Sequence, residues 1–186
     1  MAGAFHSLQG QLLLDGGKLH RSFFHRSVVL ICQHDTQGAF GLVLNRPGGA
    51  KAGEAVVANL APVVKEKMLY IGGPVQPGAL SFLHSDVFVP HANVMPNLNL
   101  GHSIEALMDL GESYSSTLKL RLFAGYAGWS PGQLEQEMAR QDWVVHPATV
   151  ELVFPPHPEQ LWREILLQKE GALRWLADAP EDPSWN

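Results

Sequence analysis

The sequence predicts an α+β fold, and three observations carry that assignment. Short β-branched apolar runs recur between clusters of turn residues. Neighbouring runs pair as hairpins, so the sheet should be mixed and mostly antiparallel. Helical patterns are interspersed irregularly, which argues against a doubly wound parallel sheet. With 186 residues, 46% hydrophobic and 17% charged, the chain suits one globular domain with a sizeable core. The domain is expected over residues 1–178, with a frayed tail at 179–186.

Taken in order, Leu8 to Leu14 reads as a short strand. Ser27 to Gln33 is a β-branched apolar run, hence a buried strand, and Ala39 to Asn45 returns across the turn His34-Asp35-Thr36-Gln37-Gly38. These two are the clearest hairpin and should pair antiparallel at the centre. Pro47-Gly48-Gly49 should break the pattern, and Ala55 to Leu60 reads as a short helix. Met68–Ile71 and Leu80–His84 are strands joined by a connection dense in Gly and Pro, and Val94 to Leu100 is an edge candidate. Ser103 should cap a helix ending at Gly111, followed by a strand from Leu118 to Phe123.

Ser130 has the character of a second cap. Pro131 suits a first helical position, Gln133 completes a capping box, and Trp129 can staple onto Leu134. The helix should therefore run from Pro131 to about Gln141. Trp143–Val145 and Thr149–Phe154 read as strands. Pro158 should open a last helix whose apolar face carries Leu161, Trp162, Ile165 and Leu166.

Several function classes are excluded or weakened by composition. Net charge is −5 and the thirteen Lys and Arg are scattered, so no basic run tracks a phosphate backbone and nucleic acid is disfavoured as a partner. The single cysteine, Cys32, allows neither an internal disulfide nor a four-cysteine zinc site. No apolar run approaches the ~20 residues that span a bilayer, and no signal peptide is visible; a cytoplasmic protein without a membrane role is expected. Gly72-Gly73-Pro74 is not followed by Gly-Lys-Ser/Thr, and no Gly-x-Gly-x-x-Gly occurs, so no nucleotide cofactor is implied. Cys32, His34 and His84 could supply three metal ligands, yet paired-ligand spacing is missing and an apolar-run cysteine is most often inert core, so no metal is expected. Gly-x-Ser-x-Gly is also absent, and no catalytic residues are assigned.

Three segments together resemble a known family. They are Gly38-Ala39-Phe40-Gly41-Leu42-Val43-Leu44-Asn45-Arg46-Pro47, then Tyr70-Ile71-Gly72-Gly73-Pro74-Val75 with Leu83-His84, then Gly125 to Trp143. In this order and spacing they resemble the bacterial YqgE/AlgH family, also called UPF0301, over about Leu8 to Trp162. The resemblance implies a curled, barrel-like mixed sheet flanked by helices. It implies no assigned biochemical activity; some members carry a transcriptional-regulator label through a genetic link to alginate production. The chain departs from the family near Leu14 to His25, where Asp15-Gly16-Gly17-Lys18 stands in place of an Ala-x-Pro segment.

One candidate site follows from the residues. Pro47 holds Arg46 extended at a strand end, where its guanidinium can fork onto a phosphate or carboxylate. Asn45 precedes it, Gly72 and Gly73 permit close approach, and Gly128 with Gln133 and Glu137 sits at the capped helix, whose start offers free N–H groups. His84 completes the set. If Asn45, Arg46, Gly72, Gly73, His84, Gly128, Gln133 and Glu137 converge, they make a site for a small anionic ligand. The competing expectation is that Arg46 pairs with Glu137 as an internal strut. The favoured reading is a non-enzymatic binding or regulatory protein for a protein partner or small anion. An enzyme built on Asn45, Arg46, His84 and Glu137 and a DNA-binding regulator are the alternatives.

Overall fold

The hairpin at the heart of the sheet joins β2 (Val28–Asp35) to β3 (Gly38–Val43), with Val29 opposite Val43 and Asp35 opposite Gly38. The structure is a computed structural model that describes residues 4–181 except 88 and 90. β1 (Gln11–Asp15) pairs antiparallel with β2 on one side and with β9 (Trp143–Pro147) on the other. β8 (Lys119–Trp129) is the long strand that organises the remainder. Its first half bonds β5 (Met68–Ile71) in parallel and β6 (Val75–Ser85) antiparallel, and its last residues bond β3. β4 (Pro47–Lys51) lies outside β5, and β7 (Asn99–Gly101) outside β6.

Along the main path the order is β4-β5-β8-β3-β2-β1-β9. The sheet is large, mostly antiparallel and open, since among the described residues β4 bonds only β5 and β9 only β1. The expected barrel-like closure is therefore corrected to an open sheet, whose branch through β6 ends on a further free edge at β7.

Both faces of its centre are covered, which explains why β1 and β2 read as near-continuous apolar runs. Leu12, Leu14, Val28, Leu30, Cys32 and Leu42 face one way and pack on Trp162, Ile165 and Leu166 of α6 (Leu161–Leu167) and Ala177 of α7 (Ala172–Ala177). Their neighbours Leu13, Val29, Ile31 and Val43 face the other way and meet Trp129, Trp143 and Leu134 of α4 (Gln133–Ala139). A third cluster joins β8 and Phe82 to α1 (Ala52–Ala55), α2 (Pro62–Lys65) and α3 (Ile104–Glu112).

Several local expectations are corrected. The helix expected over Ala55–Leu60 does not form: α1 ends at Ala55, residues 56–60 are not helical, and α2 follows with Pro62 in its first turn. Pro47-Gly48-Gly49 enters an edge strand, where a residue lacking an N–H is tolerated. Thr149–Phe154 is not a strand: the Thr149 hydroxyl accepts the Leu152 N–H (3.2 Å) and caps the short helix α5 (Val150–Val153). Ser103 does cap α3, accepting the Ala106 N–H at 3.2 Å.

Ser130 does not cap α4 in the expected manner. Gln133 N–H bonds the Ser130 carbonyl across the Pro131-Gly132 turn, which delays the helix to Gln133 and leaves Gly132 (φ +76°) as its cap. What survives of the capping box is its return arm, Gln133 Oε1 accepting from the Ser130 N–H and hydroxyl, both at 3.1 Å. Trp129 and Leu134 do share one buried cluster.

Candidate functional site

The β1–β2 connection, residues 16–27, is fixed by polar side chains at its ends and middle. Asp15 is fully buried, and its carboxylate accepts N–H bonds from Gly17 (2.8 Å), Leu19 (3.3 Å) and Arg26 (2.8 Å). A buried carboxylate so surrounded by donors is satisfied without a cation. Asn45 braces the far end, accepting the Val28 N–H (2.9 Å) and donating to the Arg26 carbonyl (2.8 Å).

Arg46 reaches under the same loop. One guanidinium nitrogen donates to the carbonyls of Phe23 (2.5 Å) and His25 (2.7 Å), and the group lies 4.9 Å over the Phe23 ring. Partial burial lowers its pKa from the ordinary arginine value, although a guanidinium stays charged. The expected strut to Glu137 is absent; among the described residues Arg46 makes no ion pair. Its Nε–H is buried with no partner.

A cavity of about 460 Å³ opens beside it, lined by Arg26, Arg46 and Arg163, by His25, Asn45 and Gln160, and by the carboxylates of Glu159 and Glu181. Two of the three arginines there are already matched: Arg163 with Asp178 at 2.6 Å, and Arg26 with Glu181 at 3.4 Å. The unmatched positive charge in the cavity wall is that of Arg46. Such an arrangement can hold an anionic oxygen; His25, in the same wall, sets its Nδ1 3.6 Å from the buried Asp15 carboxylate.

The eight residues expected to converge do not. Asn45 and Arg46 line the cavity. Gly72 and Gly73 adjoin through the backbone, the Arg46 carbonyl accepting the Ile71 N–H at 2.9 Å, but they form a corner of the sheet rather than cavity wall. Gly128 stands opposite Phe40, roughly 17 Å along β3 from Asn45 at about 3.4 Å per residue. Gln133 and Glu137 lie beyond Gly128. Glu137 Oε2 accepts both indole N–H groups, Trp129 and Trp143, at 2.8 Å each, while Oε1 accepts from Gln133 at 3.0 Å. His84 pairs across the sheet with Leu120 and bonds Asn99 (3.0 Å), at the other end of β8 from Gly128.

The other nucleophile and ligand candidates are engaged in the fold. Burial pushes the Cys32 thiol far above its usual range, which makes it inert to thiolate chemistry. His34 accepts the Leu8 N–H (2.9 Å) and meets Glu135 at 3.0 Å. Among the described residues no three His, Cys, Asp or Glu side chains are grouped to hold a metal ion. No helix among them is long and apolar enough to cross a membrane.

Sequence reasoning missed Asp15, His25, Arg26 and Trp162. The available signal was Asp15-Gly16-Gly17, an Asp before glycines that commonly folds its carboxylate onto nearby N–H groups. It lay in the segment that departs from the resembled pattern.

Comparison with known proteins agrees with this fold. Residues 12–174 match the family model described as DUF179, AlgH-like. A UPF0301 protein of Chlorobium phaeobacteroides is 36% identical over 192 residues, covering all of both chains, and one of Streptomyces coelicolor is 38% identical over 190 residues, covering 97% and 96%. A crystal structure from Corynebacterium diphtheriae superposes with TM-score 0.76 at 25% identity, covering 95% of this chain and 94% of that one. The solution structure of AlgH from Pseudomonas aeruginosa gives 0.72 at 26%, covering 93% and 94%. Matched along nearly its whole length in sequence and in fold, the chain belongs to the AlgH-like family, UPF0301.

Proposed function

We propose that this protein is a non-enzymatic binding protein that takes a small anionic ligand, a phosphate or carboxylate, in the cavity beside Arg46. The observation that carries the reading is the state of Arg46. Its guanidinium lines a cavity, has no carboxylate partner among the described residues, and keeps a buried Nε–H unsatisfied. Guanidinium donors stand in a rigid fork, and only some are spent on the Phe23 and His25 carbonyls. Asn45 and Gln160 add neutral polar groups along the same wall. Regulation through that ligand is the corresponding biological role.

Titration of the wild-type protein with inorganic phosphate, followed by heteronuclear NMR, tests this. Saturable shifts are expected at the Arg46 Nε–H and the Asn45 and Gln160 amides. No shift at these groups up to roughly 10 mM phosphate, weaker than about −3 kcal/mol of binding, would remove the anion site. Shifts confined to other surfaces would do the same.

A further inference from the structure

Arg26 is held in a conformation that its side chain alone does not favour. Its φ is +54°, in the left-handed region where Gly, Asn and Asp are the usual occupants. The backbone is clamped there from both sides, its N–H on Asp15 and its carbonyl on the Asn45 amide. The outcome is a guanidinium set 5.1 Å over the Trp162 ring. It stands between the Arg46 cavity and a smaller one of about 190 Å³, and His25, Arg26, Trp162 and Glu181 line both. Strained non-glycine residues of this kind gather at ligand sites.

What occupies Arg26 is the chain's own C-terminal segment. The guanidinium donates to the Ala179 carbonyl at 2.5 Å and meets the Glu181 carboxylate at 3.4 Å. Pro180 between them helps to wall the smaller cavity. A carbonyl and a carboxylate are the same kind of oxygen that an anionic ligand would offer. The Glu181 side chain is 80% exposed, so this ion pair is of the weak, readily exchanged class.

We propose that Ala179–Glu181 is a displaceable strap that occupies Arg26 in place of the anionic ligand and restricts the Arg46 cavity. This rests on the anion-binding reading above and adds its regulation. Ligand and strap compete for one arginine, so loosening the strap strengthens binding, and ligand binding frees the C-terminal segment.

The test compares phosphate affinity, read at the Arg46 and Asn45 resonances, for the full chain, for Glu181→Gln, and for a chain ending at Asp178. Glu181→Gln should tighten binding about twofold to fivefold, and the shortened chain at least as much. The gain should shrink in about 0.5 M NaCl, where an exposed pair is screened. Equal affinity for all three would overturn the strap while leaving the anion site standing. Phosphate binding to none of them, the strapless chain included, would overturn the site and the strap together. Should the shortened chain fail to fold, Glu181→Gln decides alone, because its exposed side chain bears no core contact.

Discussion

A methyl group on Gly125 would stand 2.5 Å from the carbonyl oxygen of Gly73. The link from β5 to β6 thus meets β8 backbone to backbone, at the point where β8 exchanges one partner for another. The Gly72 N–H bonds the Ala124 carbonyl (2.9 Å), and the Gly72 carbonyl accepts the Val43 N–H (2.8 Å). β5 ends here and β3 takes its place along β8. Gly125 adopts φ +70° to make the bend, which a residue without a Cβ does freely. The conspicuous glycines of two distant motifs are one corner of the sheet.

Gly125→Ala should therefore destabilise the protein by about 1–3 kcal/mol. Urea unfolding would show a lower midpoint at unchanged slope. A midpoint shift worth less than about 0.5 kcal/mol would mean that the corner is soft and the glycine dispensable.

Glu137 holds a second junction. A single carboxylate oxygen takes two indole N–H groups, Trp129 at the end of β8 and Trp143 at the start of β9, and so ties α4 to two strands. Glu137→Ala removes the shared oxygen and leaves both indole N–H groups without that partner. The expected cost is about 2 kcal/mol, with a red shift in tryptophan emission as the rings gain access to water. Phosphate shifts at Arg46 should persist, since Glu137 lies away from that cavity. Loss of those shifts in a folded variant would return Glu137 to the ligand site.

How much of this was legible follows from the range of each cause. The central hairpin was, because Val28–Ile31 and Leu42–Val43 are buried on both faces and the composition records it. The Ser103 cap was, because it acts within three residues. Thr149–Phe154 misled because β-branched residues serve a capped turn as readily as a strand when the packing asks for it. The candidate site was half legible. Pro47 fixed attention on Arg46, and Arg46 does line a cavity. Its companions arrive from Asp15, Arg26 and Trp162, which adjoin only after the sheet has formed, so no local spacing announces them. Glu137 and His84 were singled out with Arg46, and the structure sets both away from its cavity, bonded to Trp129 and Trp143 and to Asn99.

Two serines separate real capping from its resemblance. Ser103 accepts a helix N–H, so Ser103→Ala should cost about 1 kcal/mol. Ser130 donates its hydroxyl to Gln133 and accepts no helix N–H, and Gln133 keeps the Ser130 backbone N–H after the hydroxyl is gone. Ser130→Ala should stay within about 0.5 kcal/mol. Chemical denaturation of the two variants side by side checks the ranking, and a larger loss at Ser130 would reinstate the full capping box.

Stability should fall as the solution is acidified through the histidine range. Burial lowers the pKa of half-buried His84 from 6.5, and burial with the nearby Lys169 ammonium lowers that of His146 from the same value. A depressed histidine binds fewer protons folded than unfolded, so its contribution is complete above about pH 6.5 and is lost as pH falls toward the folded value. The depressed carboxylates Asp86, Glu105 and Glu151 have the same sign, but start from 3.8 to 4.5 and act only in stronger acid. Between pH 7 and pH 5, therefore, the slope belongs chiefly to histidines. Unfolding free energies measured across that window should decline for the wild type and flatten in His84→Gln/His146→Gln. A slope unchanged by the double substitution would remove His84 and His146 as its cause, and a stability that rises on acidification would reverse the sign argued here.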